Sequence, residues 1–352
     1  MKTITVTASK TYDIHIGAGI LEKAGSAIRK ACGGQTAVVV TDDNVAALYG
    51  KRLTDTLVKS EYRVAPYVFP HGESSKNAET FFSLLNFLAK EQLNRRDVAV
   101  ALGGGVAGDL AGFAAACYMR GIRFAQVPTT LLAAVDSSVG GKTAINLAAG
   151  KNLAGAFYQP DIVLCDISLL STLTDEAYRD GCAEMIKYGV IADRALFDSL
   201  EASVRPPLED VIARCAAIKR DIVAEDEFER DARKLLNFGH TVGHAIELLS
   251  EYRVSHGHAI AAGMAVVSRA AVHMGLCEDH CSRRLVRALR QYGLPTNAPY
   301  EAERLARACL SDKKRNGDSL TMVFPAEIGT CFLKEIPVGE LEAVIRLGLM
   351  EL

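Results

Sequence analysis

Up to about residue 178 the chain repeats one pattern, in which a short, almost continuously apolar run is followed by a longer stretch with apolar positions three and four apart. The short runs fall at 36–41 (TAVVVT), 64–69, 98–102, 122–127 and 162–165. Runs of this length and character predict strands covered on both faces, and the intervening helical stretches predict a mostly parallel sheet with helices above and below it. Ligands of such sheets settle beyond the carboxyl ends of the strands, where loops lead into helices. The segments after Val40, Phe69, Leu102 and Val127 are therefore the places to search.

From about residue 179 the period changes. Apolar residues recur at helical spacing through 183–200, 211–223, 235–249, 259–274 and 283–292, and 319–324 with 329–336 predict a hairpin turning at 325–328. The fold expected is an α/β, Rossmann-like domain over 1–178 followed by a mainly α-helical domain over 179–352, with no Pro/Gly linker between them and a cleft at their boundary. Two domains also suit 352 residues, because single cores stop growing at roughly 250–300.

Composition narrows the function class. Forty Lys plus Arg against 42 Asp plus Glu leave a formal charge of −2, which argues against a protein that coats nucleic acid or an anionic membrane. The opening MKTITVTASK lacks the basic stretch and apolar run of a signal peptide, and no apolar run is long enough to span a bilayer. Nine scattered cysteines without a C-x-x-C pair fit a reduced, cytoplasmic protein. Cys277, His280 and Cys281 share one charged helical turn, which is better read as surface than as a metal clip.

The candidate chemistry falls in three places. Residues 103–108 (GGGVAG) satisfy G-x-G-x-x-G between a strand and a helix, where backbone N–H groups can meet a pyrophosphate. No acidic residue follows about 20 positions later to hold a ribose, so that dinucleotide fingerprint is incomplete. Asp42 and Asn44 after one strand, and Glu73 and Lys76 after another, suit ribose and adenine contacts or plain turn and cap duty. Asp136, Ser137, Ser138, Gly140, Gly141 and Lys142 follow one another closely, with Lys151 and Asn152 soon after, and this polar loop system reads as an anion site.

The helical half holds the third. Four of the eight histidines lie between 240 and 258. His240 and His244, four apart, share a face of an otherwise apolar helix, where two imidazoles need a partner. A further histidine from His256-Gly-His258 and the carboxylate of Glu184, set among Ala, Met and Ile with Lys187 three residues on, suggest a zinc-type site with an open position. Lys219, Arg233 and Asn237 approach His240, and Asp312, Lys313 and Lys314 precede the last hairpin.

Taken together, GGGVAGD (103–109), YMRG (118–121), PTTLLAAVDSSVGGKTAIN (128–146), GKN with GAFYQP (150–160), AEMIKYG (183–189), LLNFGHTVGHAIE (235–247) and HGHAIAAGM (256–264) resemble the 3-dehydroquinate synthase family over essentially the whole chain. The resemblance implies an NAD-dependent enzyme of the shikimate pathway that carries zinc or cobalt, a cytoplasmic homodimer with a small anionic sugar-phosphate substrate and neither nucleic-acid nor membrane partners. It would turn 3-deoxy-D-arabino-heptulosonate 7-phosphate into 3-dehydroquinate and phosphate. The steps implied are transient oxidation by NAD, phosphate elimination in which the leaving phosphate takes the proton, re-reduction, ring opening and aldol closure.

Carried over residue by residue, the resemblance makes Glu184, His240 and His256 the metal ligands and His244 their active-site partner, a distinction that spacing leaves open. NAD would meet Asp42, Asn44, Glu73, Lys76, Gly104, Gly105, Val106, Asp109, Thr129, Thr130, Asp136, Lys142, Lys151, Leu169 and Thr172. Lys142, Lys187, Lys219, Arg233 and His244 would be catalytic, with Arg120, Asn152, Asn237, Lys313 and Lys314 holding substrate. Many members carry Glu where this chain has His258. A metal-dependent polyol or alcohol dehydrogenase, another sugar phosphate cyclase and a non-catalytic nucleotide- and zinc-binding regulator are the competing readings.

Overall fold

The structure, a computed structural model, describes residues 1–310, 315, 316 and 318–352, so Lys313 and Lys314 lie outside the described residues. It divides into two compact units, Met1–Thr174 with Ile212–Phe228, and Asp175–Val211 with Glu229–Leu352. The first unit is therefore discontinuous in sequence.

In the first unit strands β1 (Lys2–Thr7), β2 (Thr11–Gly17), β3 (Thr36–Asp42), β4 (Arg63–Phe69), β5 (Val98–Gly103), β6 (Arg123–Pro128), β7 (Lys142–Leu147), β8 (Gly150–Phe157) and β9 (Ile162–Asp166) accompany helices α1 (Ala24–Cys32), α2 (Asp43–Val45), α3 (Lys51–Lys59), α4 (Ala78–Lys90) and α5 (Gly105–Cys117). Seven strands make one sheet in the order β1-β2-β9-β6-β5-β3-β4. β1 and β2 pair antiparallel, and the other neighbours pair parallel.

The continuous apolar runs arise because both faces are covered. Val39, Val100 and Leu102 pack with Ala24 and Ile28 of α1 and Leu53 and Leu57 of α3. Val38, Val40, Ala99 and Ala101 face the other way, against Phe81, Leu84 and Leu88 of α4 and Leu110, Ala111 and Ala114 of α5. Each fully buried Val, Leu or Phe contributes about 1.5–3 kcal/mol. Small residues bring α5 close to its neighbours: a Cβ at Gly112 would stand 2.4 Å from Thr143 Cγ2.

The second unit is built from α6 (Asp175–Ala192), α7 (Arg194–Ala202), the start of α8 (Leu208–Glu225), α9 (His240–Leu249), α10 (His256–His273), α11 (Asp279–Gln291), α12 (Ala302–Cys309) and α13 (Leu341–Leu349), with a small sheet of β10 (Arg315–Asn316), β11 (Ser319–Glu327) and β12 (Thr330–Pro337). α10 is its buried centre, with Ala259 through Ala271 covered. Among the described residues no helix is long and apolar enough to cross a membrane.

Three local expectations change. The polar loop system after residue 141 is an antiparallel hairpin, with Lys142 opposite Phe157 and Leu147 opposite Gly150. The helical pattern 183–200 breaks at Asp193, whose carboxylate accepts the Leu196 N–H at 2.9 Å and caps α7. The pattern 235–249 breaks at Gly239, whose φ of 79° ends a 3₁₀ turn and lets α9 begin at His240.

Candidate functional site

The first unit gathers its polar residues at the carboxyl ends of the strands. β5 delivers Gly103, and α5 starts at Gly105 with Gly104 ahead of it and no side-chain cap. A Cβ at Gly104 would come within 3.0 Å of Thr130 Cγ2, and one at Gly105 within 3.3 Å of Ser137 Oγ. The uncapped first turn leaves backbone N–H groups for an anion. Thr129, next to it, is buried with no hydrogen bond to its hydroxyl, and Thr130 Oγ1 caps the next turn by accepting the Ala133 N–H at 3.1 Å.

Around this turn the polar side chains form two networks. Lys76, 4% exposed, pairs with Asp109 and donates to Asn152 Oδ1 at 2.6 Å. Burial pushes the Asp109 carboxyl above its ordinary 3.8, and Lys76 works against that. Glu73 Oε1 accepts from Asn146 Nδ2 at 2.7 Å, and Asn146 Oδ1 accepts the Asn152 N–H at 2.9 Å. In the second network Lys219, buried on α8, donates to Asp136 Oδ1 at 3.0 Å and to its carbonyl at 2.8 Å. Asp42 serves as a cap, its Oδ1 accepting the Val45 N–H at 2.9 Å, and Asn44 is exposed beside it.

Leu169 and Thr172 meet at Tyr49, whose hydroxyl donates to the Leu169 carbonyl at 3.0 Å and lies 2.6 Å from Thr172 Oγ1. Val106 and Lys151 are partly exposed, Lys142 and Arg120 exposed. Arg120 and Met119 both adopt left-handed backbone, with φ of 66° and 50°, a cost that non-glycine residues carry only where the surroundings impose it.

The second unit holds the histidine cluster. Glu184, fully buried on α6, lies beside Lys187, 1% exposed and one turn on. His240 Nε2 from α9 and His256 Nε2 from α10 each stand 3.6 Å from Glu184 Oε1. Three atoms bound to one cation at about 2.0–2.2 Å in tetrahedral geometry are separated by about 3.4 Å, so the spacing fits a divalent cation. The donor set fits as well: Glu184 is fully buried, Lys187 pairs with its Oε2, and Oε1 is left facing the two imidazoles.

The ring orientations are fixed from behind. His240 Nδ1 lies 3.1 Å from the Phe238 carbonyl, which can only accept, so Nδ1 carries a proton and Nε2 is the ring nitrogen turned to Glu184. His256 Nδ1 lies 3.3 Å from Glu247 Oε2. Burial lowers the His256 pKa, but hydrogen bonds and charge from Glu184 and Glu247 outweigh it and push the imidazole up to about 10. His244 joins the group edge-on, its ring centroid 5.4 Å from that of His240. His244, Glu247 and His256 form a second set of potential ligand atoms within 4.8 Å of one another.

Arg233 is fully buried in the 3₁₀ turn leading to His240, and Asn237 Nδ2 donates to Glu229 Oε1 at 2.8 Å. His258 turns away from the cluster: its Nδ1 lies 2.8 Å from both Asp180 Oδ1 and Ser255 Oγ. Glu247 and Asp180 escaped the sequence reading. Glu247 follows His240 by seven and His244 by three, the spacing of one helix face, and that was its available signal.

Residues 66–180 match the family model described as the 3-dehydroquinate synthase N-terminal region, and 181–315 the C-terminal one. The 3-dehydroquinate synthase of Streptococcus sanguinis (strain SK36) is 41% identical over 343 residues, 95% of this chain and 97% of that one. That of Enterococcus faecalis (strain ATCC 47077 / OG1RF) is 41% identical over 353 residues, 98% of this chain and 99% of that one. Among solved structures, a 2-deoxy-scyllo-inosose synthase complexed with carbaglucose-6-phosphate, NAD+ and Co2+ superposes with a TM-score of 0.88 at 30% identity, covering 98% and 99% of the two chains. The 2-epi-5-epi-valiolone synthase ValA from Streptomyces hygroscopicus subsp. jinggangensis 5008, with NAD+ and Zn2+ bound, gives 0.88 at 27% over 98% of each. A glycerol dehydrogenase from Schizosaccharomyces pombe, at 0.64 and 16% over 98% and 91%, shares the fold alone. By its matched family models and its near-full-length relatives, the chain belongs to the 3-dehydroquinate synthase family of enzymes.

Proposed function

We propose that the protein converts 3-deoxy-D-arabino-heptulosonate 7-phosphate into 3-dehydroquinate and inorganic phosphate, with one divalent cation and one NAD+ as resident groups. The observation that carries this reading is the buried carboxylate of Glu184, paired with Lys187 through Oε2 and facing two imidazole Nε2 atoms at 3.6 Å from Oε1. When bound, the cation, zinc or cobalt, supplies Lewis acidity toward substrate hydroxyls, and NAD+ accepts a hydride that is returned within the same turnover.

Glu184, His240 and His256 would hold the cation, with the Phe238 carbonyl and Glu247 orienting the rings. His244, beside both histidine ligands, is suited to hold or pass a proton at a ring nitrogen. The N–H groups of Gly104, Gly105 and Val106 would take the pyrophosphate. Asp42, Asn44, Glu73, Lys76, Asp109, Thr129, Thr130, Asp136, Lys142, Lys151, Leu169 and Thr172 would line the rest of the dinucleotide. By the family resemblance Lys187, Arg233, Asn237, His244, Arg120, Lys142, Asn152 and Lys219 would supply groups for the substrate carboxylate, hydroxyls and phosphate, the cations among them stabilising charge on the departing phosphate.

Incubating the zinc- and NAD-loaded protein with the heptulosonate phosphate tests the reading. Phosphate should appear with no accumulation of NADH. Stoichiometric NADH from a simple polyol would replace this assignment with a dehydrogenase, and turnover of sugar phosphates that lack the carboxylate, with none of the heptulosonate, would replace it with another cyclase.

A further inference from the structure

The β7–β8 hairpin loses its regular register at one point. Ile145 pairs with Ala154, but Leu147 pairs with Gly150, and Asn146 stands at the irregularity between them. A residue at such a break gives up ladder bonds and can aim its polar groups elsewhere. Asn146 aims three. Its backbone N–H donates to the Lys76 carbonyl at 2.8 Å, its Nδ2 donates to Glu73 Oε1 at 2.7 Å, and its Oδ1 accepts the Asn152 N–H at 2.9 Å. Lys76 closes the ring by donating to Asn152 Oδ1 at 2.6 Å.

Glu73 and Lys76 come from the loop between β4 and α4, and Asn152 from β8, so a single amide ties together segments far apart in sequence. Asn152 adopts a φ of 54°, left-handed backbone that a non-glycine residue holds only where its surroundings impose it. The bond from its N–H to Asn146 is part of what imposes it.

We propose that Asn146 is a positioning residue that keeps Glu73 and Lys76, placed at NAD, in register with Asn152, placed at the substrate. The inference rests on the function proposed above. The two ends of the Asn146 amide are not interchangeable: a backbone N–H can only donate and an ionised carboxylate can only accept, so the oxygen faces Asn152 and the nitrogen Glu73. Aspartate, nearly equal in size, would keep the bond to Asn152, lose the one to Glu73 and set two carboxylates against each other where a 2.7 Å hydrogen bond now stands.

Calorimetric titration of the zinc-loaded, full-length protein with NAD+ gives one readout, and phosphate release from the heptulosonate phosphate at saturating NAD+ gives KM and kcat. Asn146→Asp should weaken NAD+ binding roughly 10–100-fold, the worth of one hydrogen bond to a charged group. It should raise KM more than it lowers kcat, with zinc content and circular dichroism unchanged. Combining Asn146→Asp with Glu73→Gln exchanges donor and acceptor across the same gap, and KM should return toward the parental value; a residue that only packs the hairpin gives no such rescue. Parental NAD+ affinity and KM in Asn146→Asp, a loss confined to kcat, or a double variant no better than the single one would each overturn the proposal. The titration needs no turnover, so it judges Asn146 even where the parent releases no phosphate and the proposed reaction fails; a parent that binds no NAD+ would overturn both.

Discussion

Gly257, between His256 and His258, sets how closely α10 approaches α6. A Cβ at this position would stand 2.3 Å from Asp180 Cα, 2.4 Å from its oxygen and 2.7 Å from its carbonyl carbon. These are backbone atoms and cannot rotate aside. Ordinary carbon contacts lie at about 3.5–4.0 Å, so Gly257→Ala requires the start of α10 to retreat by roughly 1 Å or more. Glu184 lies one turn past Asp180 on α6 and His256 next to Gly257 on α10, so the 3.6 Å between Glu184 Oε1 and His256 Nε2 opens by a comparable amount. Metal sites tolerate only about 0.2 Å in ligand distance. The same displacement stretches the bonds of Ser255 and His258 to Asp180 Oδ1, 2.7 and 2.8 Å in the native arrangement. Overpacking of this kind costs about 1–3 kcal/mol, and loss of the groups that orient ligands weakens metal binding about 10–100-fold. Zinc competition against a chromophoric chelator measures the affinity, and calorimetry of the metal-free variant isolates the packing cost. Parental zinc affinity together with a parental melting temperature would refute the claim that this helix contact sets the ligand geometry.

Other perturbations test other parts of the site. Glu184→Gln leaves Lys187, 1% exposed, without its carboxylate; the metal-free variant should lose about 3–5 kcal/mol in urea unfolding, and metal analysis should find no zinc. Asp180→Ala removes the acceptor shared by Ser255 Oγ, His258 Nδ1 and the His258 N–H, and zinc affinity should fall about 10–100-fold with circular dichroism unchanged. Burial alone would raise the Glu201 pKa, but hydrogen bonds and charge from Arg284 and Arg287 hold it below its ordinary 4.5. The stability this gives is present above 4.5 and is lost as pH falls through the lowered value, so urea unfolding of Glu201→Gln should depend less on acid pH than the parent does.

The chain displayed its histidine cluster more clearly than its exact ligand set. His240 and His244 stood out because an apolar helix face does not hold two imidazoles without partners, and Glu184 because a carboxylate among Ala, Met and Ile needs a cation. The choice among His244, His256 and His258 depends on where helices begin. α9 starts at His240 because Gly239 takes a left-handed φ, and α10 starts after Ser255, which puts His258 on Asp180 and His256 toward Glu184. Those starts follow from contacts between residues far apart in sequence, which periodicity does not carry. The β7–β8 hairpin was missed for a different reason: its glycines and lysines resemble a loop, while the alternate burial of Thr143 and Ile145 is too short a period-two signal to outweigh them. The sheet was legible because five continuous apolar runs separated by helical stretches admit few other arrangements.

Charge supports the proposal that a cation and an anionic substrate share one site. Within the second unit Glu184 and Glu247 are buried acids and Lys187, Arg233 and Arg269 are buried bases; Arg269 pairs with Glu351, and the other four cancel. A divalent cation at Glu184, His240 and His256 would therefore leave an uncompensated double positive charge in poorly solvated surroundings, a state that only an incoming anion relieves. A neutral polyol would not supply it, whereas a substrate carrying carboxylate and phosphate would. The cation and the anion should then strengthen each other's binding by the same factor, as linkage requires.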